Sequence, residues 1–205
     1  MFLTLFTVIS ILCILIYFYL LAILHQKNRG IYNPIWQAVS DYGVGKFKIY
    51  FKLAGFFTGL RNICLALSLF LWPYQFPFKT RAIILLLLTL LGYIGVALFP
   101  TVLEGEPRTW KGQLHLLFAI FQFTTLALVL LNFADALRPL PGGFYQLARW
   151  LKLLLEVGLY GLVVAIILPF LKKYFGLFER VFLLASNLYF LLICFAILSC
   201  QLAIA

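Results

Sequence analysis

The chain has 205 residues, 65% of them hydrophobic, and a formal net charge of +10. The apolar residues fall in six blocks, each near the roughly 20 helical residues that a hydrocarbon core requires, so little is left over for a soluble domain. The blocks do not alternate as membrane β-strands do, and the basic residues are scattered at block ends rather than gathered in a patch, which excludes a nucleic-acid partner.

The first block spans residues 3–24. No basic residue precedes it, it exceeds a signal-peptide core, and no small-x-small cleavage pattern follows, so it reads as a retained helix. The connection after it, HQKNRGIYNPIWQAVSDYGVGKFK, is too long for a turn. Asn33 before Pro34 has the pattern of an N-cap with proline at the first helical position. Ile35, Trp36 and Val39 share a face at helical spacing, and Gly43 and Gly45 suit a helix end. This predicts a short interfacial helix over residues 34–41 that holds Ser40 and Asp41 at the mouth of the bundle.

The second block, residues 49–72, carries Arg61 beside Asn62, and Gly55 and Gly59 at a spacing that permits close helix approach. A proline-broken turn over 73–81 leads to the Leu-rich third block, 82–99, which is expected to face lipid. The fourth, 112–134, holds Gln113, Gln122, Thr124, Thr125 and Asn132 and is expected to face inward. A loop with Pro139, Pro141, Gly142 and Gly143 precedes the fifth block, 147–170, which carries Glu156 and the small residues Gly158 and Gly161. The sixth block is 177–203. The tryptophans fit headgroup levels, with Trp36 and Trp110 on one face and Trp72 and Trp150 on the other. Lys and Arg are more numerous on the face of the first, third and fifth loops, which predicts that this face is cytoplasmic and the termini are outside.

The expectation is thus an all-α fold: one six-span transmembrane domain over residues 1–205. Cys13, Cys64, Cys194 and Cys200 all lie within blocks and offer neither a disulfide framework nor zinc spacing, so no metal and no cofactor is expected.

Two groups of residues carry the expected chemistry. Arg61 and Glu156 are ionisable within spans, where charge is costly, and are expected to pair or share a pocket; the alternative partner of Glu156 is Lys152, one turn away. The second group is His25, Ser40, Asp41 and Tyr42 of the first loop with Glu104, Glu106 and Arg108 of the third, and Lys111 and His115 at the start of the fourth span. An acid, a hydroxyl and an imidazole at one mouth suit acid–base or hydrolytic chemistry. The structural alternative is polar decoration of the interface, with Ser40 and Asp41 ending a helix.

The stretches NPIWQAVSDYGVG and GVALFPTVLEGEPRTWKGQLHLL resemble the bacterial and archaeal membrane family catalogued as domain of unknown function 998. Ser40, Asp41 and Gly43 match its Ser-acid-Tyr/Leu-Gly element. Phe99, Pro100 and Thr101 match its FPTD element, and Gly112 and His115 its His-Gly-x-x-His stretch. The chain departs from the pattern at Val102, where the family has Asp, and at Lys111, where it has the first His, so a two-histidine metal site does not carry over. A fainter similarity runs to Frag1/DRAM/Sfk1-type membrane proteins, which implies a link to lipid.

The function expected is binding or modifying a membrane lipid headgroup, in a multi-pass protein of a bacterial inner membrane with anionic lipids as partners. Asp41, Ser40, Glu104 and His115 are the candidate catalytic residues, and Lys111, Tyr42, Arg61 and Glu156 the candidate ligand-binding ones. The alternatives are a scaffold without chemistry, a small-solute transporter using an Arg61–Glu156 pocket, and a haem protein with His25 and His115 as axial ligands.

Overall fold

A computed structural model of the chain describes residues 1–103 and 105–202. Its long helices are α1 (Phe2–Lys27), α2 (Lys48–Leu71), α3 (Lys79–Leu98), α4 (Trp110–Phe133), α5 (Phe144–Ile167) and α6 (Phe175–Leu202). All six are long and apolar enough to cross a membrane, and the described residues contain no strand. Short 3-10 segments, Val39–Gly43, Ala134–Leu137 and Pro169–Tyr174, lie in the connections.

The helices run up and down, so the odd-numbered connections share one end. There the backbone N–H of Gly176 reaches the carbonyl of Trp36. At the other end the Tyr74 hydroxyl donates to the carbonyl of Ala136, and Thr4 to Gln201. Helix α6 is the most buried span and α5 the least. Its Phe182, Tyr189, Phe190 and Ile193 lie in the largest apolar cluster. Large apolar side chains on the outer faces, such as Phe56, Leu91 and Val157, are exposed, as lipid-facing residues are.

Lipid gives helices no hydrophobic reason to associate, so close approach and polar contacts matter more. Gly158 and Gly161 supply the close approach of α5 to α6: a Cβ on either would run into the Phe182 backbone or the Phe178 ring. The expected Gly55–Gly59 contact does not form. Gly55 has nothing within 4 Å of a built Cβ, and Gly59 meets only Leu90 at 3.5 Å. Side-chain hydrogen bonds tie Thr7 to Ser68 at 3.1 Å and Thr89 to Thr125 at 2.9 Å. Trp36, Trp110 and Trp150 are exposed as expected, but Trp72 is buried beside Tyr74 and Phe76.

The interfacial helix expected over residues 34–41 does not form. The carbonyls that would close its turns are taken by α6 instead. Ile35 O accepts from Leu177 N–H at 2.9 Å, Trp36 O from Gly176 N–H at 3.3 Å, and Gln37 O from Arg180 Nη1 at 2.7 Å. The first two bonds satisfy backbone N–H groups in the first turn of α6, which have no partner within their own helix. The chain is a turn at Asn33–Gln37, extended at Ala38, and then enters the 3-10 segment Val39–Gly43.

Candidate functional site

A cavity of about 910 Å³ runs from the end that holds the first, third and fifth connections into the middle of the bundle. Lys48 lines it at the start of α2 and Arg61 lines it thirteen residues on, which at the rise of an α-helix is about 20 Å deeper. Apolar side chains such as Leu21, Phe51, Leu126 and Leu162 form much of its wall. Its mouth carries Lys48, Lys52 and Arg108 together with Ser40, Asp41 and Glu106. The up-and-down topology therefore brings the first and third connections to one opening.

Within the mouth, Asp41 Oδ2 accepts from the Ala38 N–H at 3.0 Å, closing the 3-10 turn from its own carboxylate. Ser40 lines the cavity half-buried. Burial first, then the charges of Asp41 and Glu106 and the neighbouring Tyr42, hold the Tyr32 phenol above the ordinary range and so protonated.

His115 lies in the second turn of α4, and its Nδ1 is 2.7 Å from the carbonyl of Phe99. A carbonyl only accepts, so Nδ1 carries a proton, and in its neutral form the ring has its lone pair at Nε2. That Nε2 is buried without a partner and His115 lines the cavity. Thr109 Oγ1 caps α4 by accepting from Gly112 N–H at 3.1 Å. A Cβ at Gly112 would strike Val102, so the glycine lets the third connection lie against the helix that carries His115.

Other predicted residues have other roles. Tyr42 is buried and accepts from Arg180 Nη2 at 3.0 Å, holding the first connection to α6. His25 is fully engaged, with Nδ1 donating to Leu21 O at 2.8 Å and Nε2 accepting from Arg180 Nε at 2.9 Å. It does not line the cavity, so the two histidines are not the facing ligand pair a haem needs. Lys111 lies over the Trp110 ring at 5.7 Å and outside the cavity lining. Glu104 lies outside the described residues. No group of three or more His, Cys, Asp or Glu side chains assembles as a metal site among the described residues.

The Arg61–Glu156 pair does not form. Arg61 donates to Asn62 Oδ1 at 3.1 and 2.7 Å, to Asn187 Oδ1 at 2.5 Å and to Tyr93 OH at 3.4 Å, with the Phe190 ring 4.5 Å away. Glu156 is half-buried on α5, away from the cavity lining, and neither Arg61 nor Lys152 forms an ion pair with it among the described residues. A transporter pocket built on that pair is therefore absent.

The acid that does line the cavity from within a helix is Glu179, whose Oε2 accepts from the Val39 N–H at 2.6 Å. Glu179 and Arg180 together hold the first connection, and neither emerged as a functional candidate from the sequence. The signal was present: two adjacent charges inside an apolar block carry the same cost that singled out Arg61.

No curated protein and no solved structure matches the chain. A family match covers residues 11–196, which takes in the first connection, the His115 turn and the Arg61 nest alike. The chain belongs to the family described as protein of unknown function (DUF998).

Proposed function

We propose that the protein binds a membrane lipid through its anionic headgroup at the mouth of the cavity, in the bacterial inner membrane that the sequence resemblance implies. The observation that supports this most directly is the combination of three cations at the rim, Lys48, Lys52 and Arg108, beside the carboxylates of Asp41 and Glu106, with apolar walls in one cavity of about 910 Å³. Basic side chains near a membrane surface each add about 1 kcal/mol of attraction for anionic lipid. The walls accept acyl chain from below. In a second reading the headgroup is also modified. It is favoured by His115, a residue of the cavity lining whose Nε2 is buried without a partner and whose Nδ1 proton is held by Phe99 O, an arrangement that suits a general base.

The test is retention of phosphatidylglycerol against phosphatidylcholine by the full chain purified in neutral detergent, read by native mass spectrometry. Lys52→Ala with Arg108→Ala is expected to lower phosphatidylglycerol retention by roughly 10–30-fold, the value of two such charges. Equal retention of the two lipids by the unaltered protein would overturn the proposal.

A further inference from the structure

We propose that the floor of the cavity is a second binding site, for a monoanionic carboxylate that carries a neighbouring N–H or O–H. It rests on the cavity alone and not on what occupies the mouth.

The argument starts from charge. Arg61 is 1% exposed and sits about 20 Å below the start of α2. A cation at that depth is costly unless something neutralises it. Its partners are the amide oxygens of Asn62 and Asn187, the hydroxyl of Tyr93 and the face of Phe190. All are neutral. Among the described residues no carboxylate lies within ion-pair distance of it. The nest orients the guanidinium and leaves its full charge in place.

Donor count points the same way. A guanidinium has five N–H groups, and four hydrogen bonds leave Arg61, so one Nη1–H remains. Tyr93 accepts from Arg61 and keeps its own O–H to give. Tyr17 is 7% exposed, lines the same cavity, and its hydroxyl has no partner. One cation with three uncommitted donors suits one carboxylate; a phosphate dianion would leave a charge over. At this depth the remaining unpartnered lining atom among the described residues is Gln122 Oε1, also 7% exposed, His115 lying two turns nearer the mouth. It accepts, so the ligand must offer a donor beside its acid. Tyr17 lies ten residues from the end of α1 and Gln122 twelve from the start of α4, which places both about 15–18 Å in, level with Arg61.

The experiment titrates the full chain in neutral detergent with N-decanoylglycine, which has both groups, and with N-decanoylglycinamide, which lacks the charge. Binding is read by calorimetry. The acid is expected to bind at least about tenfold tighter, the value of a charge-assisted hydrogen bond. Tyr17→Phe should weaken the acid several-fold with no change in the melting temperature of the unliganded protein, because its hydroxyl bonds nothing there. Arg61→Gln should erase the preference for the acid. Equal binding of acid and amide, or no effect of Tyr17→Phe on the acid, overturns the proposal even if Arg61→Gln does not fold. A third titrant assigns the source. N-acetylglycine binding as well as the decanoyl acid supports the site with a water-borne ligand; binding of the decanoyl acid alone supports it with a membrane-borne one. Phosphatidylglycerol retention reads the mouth separately, so the two proposals fail independently.

Discussion

The Val39 N–H donates to Glu179 Oε2 at 2.6 Å across 140 residues of sequence. The first connection of the chain is thereby held by its last helix, at the rim where Asp41 and His115 meet the cavity. Removing the acceptor leaves a buried N–H without a partner, at a cost of about 1–3 kcal/mol. Glu179→Ala is expected to lower the thermal midpoint in detergent, followed by circular dichroism. Glu179→Gln, which keeps an acceptor, should lose less. Equal midpoints for the alanine variant and the parent would show that the bond carries no stability.

Gly176 lets α6 approach the same connection, since a Cβ there would fall on the Gln37 carbonyl. Gly176→Ala should therefore disturb the bonds from Arg180 and the α6 backbone. The expected result is a lower midpoint and easier proteolysis within residues 28–47. A protease pattern identical to the parent would count against this close approach.

Gly55 gives the opposite case. It lines the cavity, and a Cβ built on it meets nothing within 4 Å. Gly55→Leu should fold at least as well as the parent, since leucine is the better helix former by roughly 0.5–1 kcal/mol. It should also fill part of the cavity and weaken phosphatidylglycerol retention. Undiminished retention would mean the lipid sits elsewhere.

His115 does two things that separate variants can split. Its Nδ1 anchors the Phe99 carbonyl, and its Nε2 is buried without a partner in a residue that lines the cavity. An asparagine amide can imitate the Nδ1 donor but leaves nothing at Nε2. His115→Asn should keep most of the stability and lose any turnover of bound lipid, whereas His115→Ala should lose both. If the asparagine variant turns lipid over at the parental rate, Nε2 is not the base.

The seam between α5 and α6 offers a packing test. Gly158→Val would push a branched side chain into the Phe182 backbone, and overpacking of this kind costs typically about 1–3 kcal/mol. Gly59→Ala, 3.5 Å from Leu90, should be nearly neutral. The reverse order of midpoints would mean that α5 does not cross α6 at Gly158.

The spans were legible in the sequence because a bilayer imposes one length on every crossing, and hydropathy measures that length directly. The shared mouth was legible for a related reason. Six crossings force odd-numbered connections to one end, so Ser40, Asp41 and His115 had to be near one opening. What stayed hidden depends on how the helices are arranged around the bundle, which apolar periodicity does not encode. Arg61 could be seen to need a partner, but the sequence had no means of choosing Asn187 over Glu156. The interfacial helix failed for a similar reason. Asn33 and Pro34 gave sound local start signals, and the carbonyls after them were claimed by Gly176, Leu177 and Arg180, residues no local pattern could reach.

That claim also sets an order on biogenesis. A nascent chain with only its first helices inserted has no donors for the carbonyls of Ile35, Trp36 and Gln37, because those donors lie on α6 and are synthesised after α2, α3, α4 and α5. The rim must then wait, unsealed, through the insertion of four further helices. A ribosome stalled before residue 176 would deliver an intermediate with an unfastened connection, recognisable to the membrane's quality-control proteases.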